Sequence, residues 1–467
     1  MIVRRPRTAA LLAAFALSSA LACKLEPDTP ELHYSLNGAE IAKNNDLASD
    51  AAAQVQLEGA LEFLFGTPKA PAFLALPDWL AEDPPFYPNF WGEDHVRADE
   101  AAWGRLVESN KKAYHAQLEA IRLGNLEKVQ RPRYADDLWA RWEEVRGGLP
   151  EGGPDAAYTD PFSGEEGTWR QSAAAVFENY YPKLATSAEF YRQQCYHCHG
   201  ASGGGDGSTS RFLEPRPRDY RRGIFKFTAL KGKAHPRHED LFHVLTEGIY
   251  TTAMPSFRRF SDAQLHGLVD YVRLLAIRGE TEILLADFYS PDDGLTFDNI
   301  KENYDLVVSR WREAPEHLIR VESKVPEPTA ERIAHGRTLF MTPGEKGGAN
   351  CVSCHGMSGR GDGASAFEAD PADPTKRVRV KDDWGNRISI RDLTRGVFRF
   401  GRRPIDLYRR IYAGINGTPM PEHLGMSITD GGTQRSLSED DVWDMVFFVR
   451  SISAQEPSDE PGVERHR

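Results

Sequence analysis

The sequence predicts an all-α protein in which a helical N-terminal extension precedes two tandem copies of one small domain. Three observations predict it. A Cys-x-x-Cys-His pentad followed by a glycine-rich run occurs twice. The segments downstream of the two pentads match one another pair by pair. The stretches that open and close each copy place apolar residues at i, i+3 and i+4, the spacing of a buried helical stripe. A length of 467 residues leaves room for about three domains, and 40% hydrophobic content suffices for packed cores.

The repeat is detailed. Gly200-Ala201-Ser202-Gly203-Gly204-Gly205-Asp206-Gly207 matches Gly356-Met357-Ser358-Gly359-Arg360-Gly361-Asp362-Gly363. Arg218-Asp219 matches Arg391-Asp392, and Gly223, Phe225 and Phe227 match Gly396, Phe398 and Phe400. Asp240-Leu241-Phe242 resembles Asp406-Leu407-Tyr408, and Ser261 to Arg273 parallels Ser438 to Arg450. The offset between copies is 156 at the pentads, 173 at Arg-Asp, 166 at Met-Pro and 177 in the last helix. The second copy therefore carries insertions, which belong in surface loops.

The pentads carry the chemistry. Cys195-Tyr196-His197-Cys198-His199 and Cys351-Val352-Ser353-Cys354-His355 have the form of the c-type haem attachment motif. Two thiols three residues apart on one turn can each form a thioether to a haem vinyl group, and the next residue points its imidazole at the iron. A zinc ribbon would place its Cys pairs about 15–20 residues apart, whereas 152 residues separate Cys198 from Cys351. A thioredoxin-like dithiol would leave the two histidines unexplained. His197 reads as a loop residue. The expected cofactors are two covalently bound haem c groups.

Each iron needs a sixth ligand, and a methionine there raises the potential. Met254 stands in Thr252-Ala253-Met254-Pro255 and Met420 in Thr418-Pro419-Met420-Pro421, 55 and 65 residues past their histidines. The proline stiffens the loop and removes a donor. Met426 and Met357 compete with Met420. His235, His238 and His243 would make the first site bis-histidine.

With these motifs in place, both halves resemble class I c-type cytochrome domains: a helix, the haem motif, a glycine-rich loop, a Met-Pro loop and a closing helix. The resemblance covers residues 172–278 and 328–455. It implies that Leu268, Tyr271 and Val272, and Met445, Phe448 and Val449, pack the closing helix across the opening one. The opening helices are expected at Ala173–Gln194 and Ala330–Met341. Gly336 and Phe340 stand where the family has a glycine and an aromatic; the first copy has Ser187 and Tyr191 instead. The family also uses a proline carbonyl to accept from the ligand histidine. Pro215 and Pro217 are the candidates, but Ile390 replaces Pro217 in the second copy. Arg218 and Arg391 are candidate contacts for haem propionates, since a guanidinium forks onto a carboxylate; as a surface arginine, each would pair with its neighbouring aspartate.

The rest of the chain is read as follows. Residues 1–22 form a signal peptide: Arg4, Arg5 and Arg7 lead an apolar stretch, Ala9–Ala22, too short for a membrane span. Ala20-Leu21-Ala22-Cys23 resembles a bacterial lipobox, with Cys23 lipidated; the alternative is an ordinary secretory signal cleaved near Ala22. Residues 24–50 are expected as a tether and 51–170 as a helical, tryptophan-rich extension with helices at 57–65, 99–123 and 138–145. The first cytochrome domain is placed at 171–278, a linker at 279–327, the second domain at 328–455 and a disordered tail at 456–467. The basic run Lys376–Lys381 alternates like an exposed strand edge.

A net charge of −12 argues against nucleic acid as a partner. An iron with His and Met on its two faces has no open position and exchanges electrons without binding substrate. The expectation is a diheme electron carrier on the extracytoplasmic, periplasmic side, anchored to the membrane by lipid. It would exchange electrons with a redox protein or a membrane quinol-oxidising complex or terminal oxidase, with no catalytic residues and no small-molecule substrate. The alternative is a diheme redox enzyme of peroxidase or thiosulfate dehydrogenase type, with one displaceable distal ligand.

Overall fold

The computed structural model describes residues 32–69, 71, 119, 123, 143–161, 164–180, 184–321 and 325–453. Cys23, the tail and most of the helix expected at 99–123 lie outside the described residues, as do five of the six early tryptophans. Residues 143–147 are helical.

The chain from Tyr34 to Asp50, expected as part of a tether, is instead ordered. It carries α1 (Gly38–Ile41) and α2 (Asn45–Ser49) and leads into α3 (Ala51–Phe65). The Asn44 amide donates to the carbonyls of Ala286 and Tyr289 at 2.9 and 2.8 Å, and Leu47 is fully buried. Asp50 caps α3 by accepting from the Ala53 amide, and the helix stops at Gly66, whose φ of 67° suits only glycine.

In the first copy, the short hairpin β1 (Ala157–Thr159) and β2 (Glu166–Thr168) precedes α4 (Trp169–Tyr180) and α5 (Leu184–Gln194). The opening helix expected at Ala173–Gln194 is helical over Trp169–Tyr180 and Leu184–Gln194, and residues 181–183 lie outside the described residues. The single turn α6 (Tyr196–His199) ends on the last histidine of the first pentad, and α7 (His238–Glu247) precedes the closing helix α8 (Asp262–Phe288). At 27 residues α8 is about 40 Å long. It runs unbroken past residue 278, where the first domain was expected to end, because its apolar stripe continues through Leu274, Ile277 and Leu285. The expected linker then folds back as α9 (Phe297–Arg312), whose Trp311 indole donates to Glu280 at 2.6 Å.

The second copy comprises α10 (Ala330–Met341), α11 (Val352–His355), α12 (Pro404–Ala413) and α13 (Glu439–Ser451). Its insertions are two hairpins, β3 (Phe367–Asp370) with β4 (Asp373–Arg379), and β5 (Ser427–Asp430) with β6 (Thr433–Ser436). Most of the basic run lies in β4, where Lys376 pairs with Asp373 and Arg377 donates to the carbonyls of Ala364 and Phe367.

Opening and closing helices cross closely in both copies. A Cβ on Gly336 would lie 2.0 Å from the Asp444 carbonyl oxygen. Phe340 meets Phe448 edge-on at 5.2 Å. In the first copy Tyr191 and Tyr271 take these places at 4.9 Å, and Tyr191 also donates to the Gly200 carbonyl.

The two copies meet through equivalent surfaces. Phe227 stacks on its counterpart Phe400 at 6.1 Å and 15°. His243, on α7, abuts Phe400, while Arg410, on the equivalent α12, lies over Phe400 at 5.0 Å and over Phe227 at 5.3 Å. The equivalence lies in the aromatic pair itself. Lys226 bonds Asp382, from the second copy's insertion, at 2.7 Å with both side chains nearly buried.

Candidate functional site

Two cavities, of about 600 and 370 Å³, open beside the pentads, within the range of roughly 300–1,000 Å³ common for cofactor sites. The first is lined by Cys195, Cys198, His199 and Met254, and the second by Cys351, Cys354, His355 and Met420. Residues 55 and 65 positions apart in sequence thus converge on one space in each copy.

The histidines are fixed identically. His199 Nδ1 lies 3.1 Å from the Arg218 carbonyl oxygen, and His355 Nδ1 lies 3.3 Å from that of Arg391. A carbonyl only accepts, so Nδ1 carries the proton, leaving Nε2 as a lone-pair donor when the ring is neutral. Burial depresses the His199 pKa to about 4 and lowers that of His355, so both rings are neutral at pH 7. The expected acceptors, the Pro215 and Pro217 carbonyls, are therefore corrected to Arg218. The acceptor is the following arginine in both copies, so Ile390 in place of Pro217 does not remove the bond from the second.

The glycine-rich loops set this register. Gly205 and Gly361 sit at φ of 70° and 75° and bond back to the carbonyls of His199 and His355. A Cβ on either would strike the carbonyl oxygen of Pro217 at 2.6 Å or Ile390 at 2.4 Å.

The Met-Pro loops also coincide. Thr252 Oγ1 donates to the Ile249 carbonyl at 2.8 Å and accepts from the Met254 amide at 3.1 Å. Thr418 repeats this with Ile415 and Met420 at 2.8 and 3.3 Å. Ile249 and Ile415 then bond back to the carbonyls of Met254 and Met420. The repeated Thr-x-Met-Pro is a closed turn that presents the thioether to the cavity. Met357 is 74% exposed and does not line the second cavity, whereas Met426 does. His235, His238 and His243 do not line the first.

Burial pushes the Cys195 and Cys351 thiols up to about 12, so they stand as neutral thiols. All four described cysteines are free. Two thiols beside a neutral imidazole and a thioether, in a largely apolar cavity, fit a covalently held porphyrin.

Residues 333–453 match the cytochrome c family, and residues 182–272 match the family of cbb3-type cytochrome c oxidase subunit III. The chain carries two class I c-type cytochrome domains in tandem. Two such domains imply haem c as the cofactor. Among solved structures, the chain is similar to one from the Kuenenia stuttgartiensis reducing HAO-like protein complex Kustc0457/Kustc0458. That chain is 26% identical at a TM-score of 0.41, over 57% of this chain and 95% of that one. No curated protein matches the chain.

Arg218 and Arg391 both line the first cytochrome domain's cavity, and Arg391 also lines the second. The Arg218 guanidinium lies 3.6 Å from the centre of the Trp384 ring, a cation–π contact, and Arg391 donates to Thr251. Other lining residues went unread in the sequence: Lys226, Arg399 and Arg410 at the domain interface, and His423 in the second cavity. His423 had one signal, its place two residues past Met420-Pro421. The three cations had none, because they face a cavity built partly by the other copy.

Proposed function

We propose that the chain is an extracytoplasmic electron carrier with two haem c groups, each held by a cysteine pair and ligated by histidine and methionine. Cys195 and Cys198 hold the first group and His199 and Met254 ligate it; Cys351, Cys354, His355 and Met420 do the same for the second. A bound haem supplies an iron that changes valence by one electron. The peptide carbonyls of Arg218 and Arg391 hold each imidazole in the tautomer that offers Nε2, and raise its basicity. Thr252 and Thr418 hold each thioether loop closed, so that neither site keeps a position for substrate. The observation that carries this reading is the duplicated Thr-x-Met-Pro turn facing a histidine fixed through Nδ1 in both cavities.

The partner is a redox protein or a membrane respiratory complex, a reading supported by the match of the first domain to an oxidase subunit family. A lipid on Cys23 would confine the carrier to the membrane surface, where two acyl chains anchor stably and one does not.

One observation favours the enzyme alternative: His423 and Met426 line the second cavity beside Met420, so that site holds more than one donor. The deciding experiment is absorption spectroscopy of the purified protein with a haem count per chain. Two low-spin haems are expected, with the weak near-infrared Met–Fe(III) band diminished in Met254→Ala and again in Met420→Ala. A high-spin haem, or ready carbon monoxide binding by the unaltered protein, moves the reading to the enzyme.

A further inference from the structure

The two cavities share a wall. Lys226, Phe227, Ile388, Ser389, Arg391 and Arg399 line both. Three of these six are cations, and they differ in what balances them. Lys226 has the Asp382 carboxylate at 2.7 Å. Arg391 donates to the neutral hydroxyl of Thr251 from one end, and its Nε is buried without a partner. Arg399, the counterpart of Lys226 in the second copy, has no acidic partner among the described residues, and its Nε is likewise buried and unpartnered. Asp406, which lines the second cavity, is already held by Arg403 through its side chain and backbone.

Arg399 is half-buried, and even a half-buried cation without a counter-charge bears a desolvation cost that proteins offset with a counter-charge or leave to a ligand. The missing charge here is anionic, and a planar guanidinium selects carboxylates. A haem carries two propionates. We propose that Arg399 is a common carboxylate anchor, its guanidinium meeting a propionate of the cofactor in each cavity and so linking the two sites electrostatically. This rests on the two-haem reading above.

A cation beside a haem favours the reduced state, so removing one shared by both sites lowers both midpoint potentials. Arg218 lines only the first cavity, so its loss lowers one. The test is an optical redox titration, with a haem count, of the full chain and of Arg399→Gln, Arg399→Lys and Arg218→Gln. The expected result is two haems throughout, both midpoints lowered in Arg399→Gln, a smaller fall at both in Arg399→Lys, and one midpoint lowered in Arg218→Gln. If Arg399→Gln does not load two haems, Arg399→Lys carries the test alone, because it keeps the charge and loses the fork. A fall at one midpoint or at neither overturns the shared anchor while leaving the two-haem reading intact. Fewer than two haems in the unaltered protein overturns both.

Discussion

Thr252 and Thr418 do the same work in the two copies, and each does it with one oxygen. The hydroxyl donates to a carbonyl three residues back and accepts from the methionine amide two residues on. Replacing either by valine keeps the shape and removes both bonds, at a cost of roughly 1 kcal/mol or more. Thr252→Val and Thr418→Val should each lower the denaturant midpoint of the holoprotein and weaken the near-infrared band of one site, leaving the other intact. At this scale the sequence was highly legible. The pentads, the histidines that follow them and the Thr-x-Met-Pro turns are local patterns, and local patterns survive in a linear text. The acceptor for His199 was placed one residue early, at Pro217 instead of Arg218, because which peptide carbonyl turns towards the ring is set by the backbone dihedrals of the loop and not by residue identity. Arg399 and Lys226 were missed for a different reason: what distinguishes them is the absence or presence of Asp382 nearby, which only the fold decides.

Among elements, the closing helix of the second copy, α13, depends most visibly on charge. Its start is a capping box in which Ser438 and Asp441 satisfy each other's backbone amides. Arg435 reaches from β6 to both Asp430 and Asp441. Burial alone would raise the Asp441 pKa, but the bonds from Arg435 and Ser438 prevail and hold it at about 2, against 3.8 for a free aspartate. The folded value is the lower one, so this carboxylate lends stability that is complete above about pH 4 and is lost as the pH falls towards 2. Melting temperature against pH should therefore drop across that window, and Arg435→Gln should flatten the drop while lowering the melting temperature at pH 7. The starts of α8 and α13 were legible through the repeat, in which Ser261 to Arg273 parallels Ser438 to Arg450. Where α8 would end was not readable, because nothing local interrupts its stripe. Only the packing of α9 and of the chain around α1 and α2 explains why a helix needs 27 residues there.

For the whole molecule, the interface between the copies is the part least visible in sequence. The repeat was plain, but the way its copies face one another was not, since Phe227 and Phe400 stack across 173 positions. The Lys226–Asp382 pair guards this interface, with side chains 11% and 3% exposed. Breaking a buried pair by removing one charge costs on the order of 3–5 kcal/mol. Asp382→Asn should therefore make the domains separable, read as faster protease cleavage between them and as a second transition on unfolding, with both haems retained.

A surface built from equivalent residues cannot tell the copy in its own chain from the same copy in a neighbouring chain. Once the clasp at Lys226 is loosened, two chains could exchange second domains and recover every Phe227–Phe400 and Arg410–Phe227 contact they had given up. Domain-swapped dimers of Asp382→Asn are accordingly expected to accumulate as protein concentration rises, and to be absent from the unaltered chain under the same conditions, when the two are compared by light scattering after gel filtration.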